Sequence, residues 1–146
     1  AGRASRCYLV DVTTGAAKTA SPEGVTCGVF SPDGRAMAGS MAGGIAIYSL
    51  AGGSPRMISH LTADFTPVEW SGDGSSLYGY HFGEFPSKVY RADLASGEQR
   101  VVKELKPGVP AGVVLVAPVI VSRDGKRFAY SYNQTLSVLY VVSGLH

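Results

Sequence analysis

One five-residue pattern occurs three times in this chain: Phe30-Ser31-Pro32-Asp33-Gly34, Trp70-Ser71-Gly72-Asp73-Gly74 and Val121-Ser122-Arg123-Asp124-Gly125. Each copy places an apolar residue and a serine before an Asp-Gly pair, and an apolar-rich run follows. Asp-Gly between apolar segments is a hairpin signal, because glycine tolerates positive φ and aspartate tolerates it better than most residues. Asp33-Gly34, Asp73-Gly74 and Asp124-Gly125 are therefore read as structural turns. Repetition of such turns restricts the chain to a repeat architecture.

A second marker follows each Asp-Gly: Ile47-Tyr48, Val89-Tyr90 and Leu139-Tyr140. The tyrosine trails the aspartate by 15, 17 and 16 residues. Near-constant offsets assign both strands to one repeating unit. A fourth copy of this marker, Cys7-Tyr8-Leu9-Val10-Asp11 with Thr14-Gly15, matches Val89-Tyr90-Arg91-Ala92-Asp93 with Ser96-Gly97. Its Asp-Gly partner would precede residue 1, so the sequence is expected to start in mid-repeat, as a piece of something longer.

Each full repeat reads as four strands, A to D. The first has A at Val25–Phe30, B at Arg35–Ser40, C at Ile45–Leu50 and D at Arg56–Leu61. The second has A at Pro67–Ser71, B at Ser76–His81, C at Lys88–Leu94 and D at Gln99–Leu105. The third has A at Pro118–Ser122, B at Arg127–Tyr132 and C at Ser137–Val142, with no D. Four-stranded units of about 40–45 residues have the size of β-propeller blades. The expected fold is all-β: a half blade over 6–20, blades over 21–62 and 63–105, and a blade lacking its last strand over 106–146. Three and a half blades do not close a ring. Either the remaining blades of a parent propeller or a second copy of the chain would then cover the end faces.

With 146 residues, 45% of them apolar and 16% charged, the chain has enough material for a real core. The net charge of +2 is scattered, which leaves no electrostatic footprint for nucleic acid. The longest apolar run, Val113 to Val121, contains Pro118 and is too short to span a bilayer. Cys7 and Cys27 could form one disulfide in an oxidising compartment. The favoured reading is two buried thiols on strands. The alternating Tyr78 and Tyr80, and Tyr130 and Tyr132, have the spacing of inter-blade core, with carbohydrate binding as the alternative.

No catalytic, cofactor or metal motif is legible. There is no Gly-x-Ser-x-Gly elbow, no phosphate loop and no ligand spacing among His60, His81 and His146. The candidate binding feature is a loop. The second B-to-C connection, His81 to Ser87, carries two aromatics, an imidazole and a carboxylate. It should leave the sheet on the same side as the D-to-A connection, Lys106 to Val114. That connection holds most of the 11 residues by which the interval from Asp73 to Asp124 (51) exceeds that from Asp33 to Asp73 (40). Loops on a rigid scaffold are where binding residues concentrate. Phe82 and Phe85 are the candidate anchors, with Glu84 and Lys88 at the rim and His81 at the loop's base. The alternative is that both rings fold back and cap the blade edge.

The Ser-Pro-Asp-Gly-Arg segment at 31–35, the Ile-Tyr and Val-Tyr pairs and the Gly-rich turns resemble the WD40-like (PD40) repeats of TolB-type β-propellers. Such repeats also occur in the propellers of prolyl-oligopeptidase-type peptidases. Residues 127–132 and 136–145 resemble the C-terminus of propellers attached to bacterial eukaryotic-type Ser/Thr kinases, notably in acidobacteria. Gly72 and Arg123 depart from the proline of the motif, and no kinase motif is present. The resemblance implies a non-catalytic, extracytoplasmic or periplasmic module for protein interaction or sensing. The alternatives are the propeller of a peptidase and a carbohydrate-binding propeller.

Overall fold

The computed structural model describes residues 5–138 and 140. It is all-β. A hairpin, β1 (Tyr8–Val10) and β2 (Ala17–Thr19), precedes a four-stranded sheet of β3 (Thr26–Phe30), β4 (Ala36–Met41), β5 (Gly44–Ser49) and β6 (Arg56–Met57). A second four-stranded sheet holds β7 (Phe65–Trp70), β8 (Ser76–His81), β9 (Lys88–Asp93) and β10 (Gln99–Glu104). A final pair is β11 (Val113–Val121) and β12 (Phe128–Gln134). Every pairing is antiparallel, and within each sheet every strand lies beside its neighbour in sequence. The first strands β3, β7 and β11 sit next to one another, and β6 and β10 form exposed outer edges. These are propeller blades fanned about their inner strands.

The three Asp-Gly pairs lie in the A-to-B turns, with Gly34, Gly74 and Gly125 at φ 68°, 71° and 67°. The serine completes each turn. Ser31 Oγ donates to Asp33 Oδ1 (2.6 Å) and accepts from the Ala36 amide (2.9 Å), while Asp33 Oδ1 also accepts from the Arg35 amide (3.0 Å). Ser71 with Asp73, and Ser122 with Asp124, repeat these bonds. The hydroxyl supports the carboxylate and the strand that leaves the turn at once. It holds all three aspartates below their ordinary pKa, Asp73 at about 2.

Two of the C-to-D turns, after β1 and after β9, share a second design. Asp11 Oδ1 accepts from the amides of Thr13 and Thr14, and Asp93 Oδ1 from those of Ala95 and Ser96. Gly15 and Gly97 close these turns at φ 72° and 75°. The likeness between residues 7–15 and 89–97 is thus a likeness of turn chemistry.

Each inner strand slips register at a matching place, between Cys27 and Val29, between Pro67 and Glu69, and between Val116 and Val119, and β11 slips a second time between Val113 and Leu115. The matched slips fall at equivalent positions of the repeats. A bulge exchanges the two faces of a strand downstream of it. Phe65 and Trp70, five residues apart, consequently enter the same core with Ile45, Leu61 and Leu77 between the two four-stranded sheets. Tyr78 and Tyr80 point the other way. They pack with Val89, Val116, Val119 and Val121 between the second sheet and β11–β12. A third core of Cys7, Val25, Met37, Ala46 and Tyr48 joins the hairpin to the first sheet.

Several expectations are corrected. Cys7 and Cys27 are not thiols: they form a disulfide across a Cα–Cα distance of 5.7 Å, with Cys7 buried and Cys27 on an exposed strand. The first D strand ends at Met57, because the chain bends at His60 (φ 62°) and a Leu61 amide to Ile58 carbonyl bond turns it back. The third A strand starts at Val113 and runs for nine residues, so part of the supposed insertion is strand. The second of its two slips, between Val116 and Val119, brackets Pro118, which has no amide to donate to the ladder. Tyr132 is 41% exposed and, unlike Tyr130, does not pack on the core. Of the C strand expected over 137–142, residues 137, 138 and 140 carry no strand, and the others lie outside the described residues.

Candidate interaction face

In an antiparallel meander the B-to-C and D-to-A connections leave by one end of the sheet and the A-to-B and C-to-D turns by the other. Residues 82–87 and 105–112 therefore occupy one end. The Leu105 amide donates to the Ser87 carbonyl (2.8 Å), tying the two segments together. Phe85, Pro86, Leu105, Pro107 and Pro110 line a groove of about 300 Å³, with Glu104 and Lys106 also at its walls. The Phe85 side is fixed by the β8–β9 loop. The proline side is pinned to β12: Tyr130 Oη donates to the Lys106 carbonyl (3.1 Å) and Gln134 Nε2 to that of Ala111 (2.6 Å).

The five candidate residues divide into two roles. Phe82 and Phe85 are 61% and 53% exposed, so neither ring folds back to cap the blade. The other three hold the loop. His81 Nδ1 lies 2.7 Å from Asp64 Oδ2 and Nε2 lies 2.8 Å from Gln99 Oε1. Its ring meets Phe65 and Tyr90 edge-on, with centroids 5.6 and 5.0 Å apart. Both nitrogens are engaged, and the imidazole serves as a tie. Hydrogen bonds from Thr62 and His81 hold Asp64 below the usual carboxylate range.

Glu84 Oε1 accepts from Lys88 Nζ (2.9 Å) and from Tyr90 Oη (2.8 Å). Burial pushes the Glu84 carboxyl up, but these two donors outweigh it and the net shift is downward. The same contact raises Lys88, and burial followed by the bond to Glu84 raises Tyr90. Glu84 and Lys88, expected at a solvent rim, are a half-buried clamp across the base of the loop. Asp64 and Gln99 are not singled out in the sequence, and Tyr90 stands there as a repeat marker without a role in the loop. The repeated apolar-Tyr marker signalled Tyr90, and nothing marked the other two.

Among the described residues no group of three or more His, Cys, Asp or Glu side chains is arranged to hold a metal ion, and no helix is long and apolar enough to cross a membrane. Of the four tyrosines a carbohydrate reading would use, Tyr78 and Tyr80 are buried between sheets, Tyr130 packs against the same core and Tyr132 is exposed.

This architecture is a set of four-stranded antiparallel β-propeller blades. No protein-family model matches the sequence, and no curated protein resembles it significantly. Among solved structures it is similar to TolB from Acinetobacter baumannii, with a TM-score of 0.62 and 23% identity over 90% of this chain. The chain spans 33% of that protein's length. The likeness supports the TolB-like reading of the repeats and carries nothing for the kinase resemblance.

Proposed function

We propose that this chain is a non-catalytic β-propeller segment that binds a protein partner through the end of the second blade, as part of a larger protein. One observation carries the reading: two phenylalanine rings, each more than half exposed, stand beside an apolar proline-lined groove on a loop clamped from below. Exposed aromatic surface on a pre-organised loop is suited to association, because aromatic anchors dominate interface energetics and a fixed loop loses little entropy on binding. His81, Glu84 and Lys88 act as positioning residues for Phe82 and Phe85.

The test is co-purification with proteins retained stoichiometrically by the wild-type chain, compared with Phe82→Ala, Phe85→Ala and Phe30→Ala. Phe30 is also exposed but ends β3 at the opposite end of its sheet. Loss on changing Phe82 or Phe85, with retention on changing Phe30, supports the reading. Equal retention by all variants removes it.

A further inference from the structure

The hairpin β1–β2 is attached to the rest of the molecule differently from every other strand pair. The two four-stranded sheets hold one another through a large core and by hydrogen bonds of Trp70 Nε1 to the Val29 carbonyl (3.0 Å) and Arg56 to the Leu94 carbonyl (2.9 Å). The hairpin is a separate two-stranded sheet with three residue pairs, and no ladder joins it to β3–β6 among the described residues. Hairpins of this size are marginal alone. The hairpin's own strands are mostly exposed, and one long-range side-chain bond reaches from it to the first sheet, Lys18 Nζ to the Leu50 carbonyl at 3.3 Å. Otherwise the hairpin is held at its base, by Ala20 packed on the third core, by the Gly24 amide to the Ser5 carbonyl (2.8 Å) and the Arg6–Glu23 ion pair, and by Cys7, buried against Val25, Met37, Ala46 and Tyr48 and bonded to Cys27 on β3.

We propose that the Cys7–Cys27 disulfide is a reducible latch that holds the β1–β2 hairpin over the outer face of the first blade. Two features support a latch rather than a staple for the whole fold. The bond closes a loop with a sequence separation of 20 residues at one end of the fan, whereas both larger cores lie beyond Cys27 in sequence. Cys27 also sits in an exposed stretch of β3, while Cys7 is covered, so Cys27 is the sulfur that a small thiol can approach. The chemistry is thiol–disulfide exchange with a dithiol. One thiolate of the dithiol attacks the Cys27 sulfur, and Cys7 leaves as a thiolate and takes up a proton. The second thiol then attacks the mixed disulfide, releasing Cys27 as a thiol. The dithiol is oxidised by two electrons and the cystine reduced by two. With the tie gone, the hairpin opens and uncovers Met37, Ala46 and Tyr48. In an oxidising compartment the latch stays shut.

The test is limited trypsin digestion of the full chain, oxidised and after dithiol reduction with alkylation, read by mass spectrometry. The Cys7→Ser/Cys27→Ser variant runs in parallel. Cleavage after Lys18 reports hairpin opening, and cleavage after Arg91, in β9, reports opening of the second blade. The expected result is about tenfold faster cleavage after Lys18 in the reduced protein and in the variant, with cleavage after Arg91 unchanged. The proposal is overturned by titration of two free thiols in the native, unreduced chain. It is equally overturned by equal Lys18 cleavage in both redox states, or by parallel acceleration at Arg91.

Discussion

The hydroxyl of Tyr78, on β8 of the second blade, occupies the space that a side chain at Gly125 would need. The third Asp-Gly turn is thereby packed against the preceding blade. Gly34 and Gly74 have open space at the same position of their turns. All three glycines have positive φ, so alanine at Gly34 or Gly74 should cost about 1 kcal/mol through backbone strain alone. Gly125→Ala must in addition displace Tyr78 from the core it shares with Val116 and Val119. Thermal melting of the three variants should rank Gly125→Ala as clearly the least stable. Equal melting temperatures would contradict the packing.

That difference between chemically identical turns shows where sequence reading stops. The turns were legible because their determinants lie within six residues: a serine, an aspartate and a glycine that bond one another locally. Strand β8 was legible over Ser76–His81 because the Asp73-Gly74 turn just before it fixes its frame. The disulfide was not, because Cys7 and Cys27 meet only once the hairpin packs on β3, and spacing alone favours neither thiols nor cystine. The site was half legible. Phe82 and Phe85 are visible as aromatics in a loop. The partners of His81 are Asp64 and Gln99, 17 and 18 residues away on other strands and loops, and no local pattern announces them.

The Ser-x-Asp-Gly turns should make the fold acid-sensitive within a defined window. The Ser71 hydroxyl, then the Ser75 amide and hydroxyl, lower Asp73 from 3.8 to about 2. A carboxylate depressed on folding stabilises the native state fully above its unfolded value and loses that contribution as pH falls through the folded one. Asp33 and Asp124 shift in the same direction. Melting temperature should therefore fall between about pH 4 and pH 2, and Asp73→Asn should flatten that fall while lowering stability at neutral pH. An unchanged acid profile in the variant would refute the assignment.

Trp70 is the chain's single tryptophan, and it reports on the contact between the first two blades. Its indole is buried and donates to the Val29 carbonyl across the sheet boundary. Its emission should be blue-shifted in the native state and move red in a single step with unfolding of the blade pair. Trp70→Phe leaves that carbonyl without its donor and reduces the core, at a cost of about 1–3 kcal/mol. A native emission maximum at the position of free tryptophan would contradict this placement.

The clamp under the interaction loop should be separable from global stability. Glu84→Ala removes the acceptor shared by Lys88 and Tyr90. Amide exchange over residues 82–88 should accelerate while exchange in β7 and β8 stays slow, because neither strand relies on Glu84. Uniform acceleration across the second blade would make Glu84 a general stability element instead.

The central claim is that the end of the second blade carrying Phe82, Phe85 and the proline-lined groove is the surface that meets a partner. Its most direct test is hydrogen exchange of this chain alone and in complex with a partner retained by the wild-type protein. The account expects new protection concentrated in residues 82–87 and 105–112, and abolished by Phe82→Ala with Phe85→Ala. Protection confined to the opposite turns, at 31–35, 71–75 and 93–97, would contradict it.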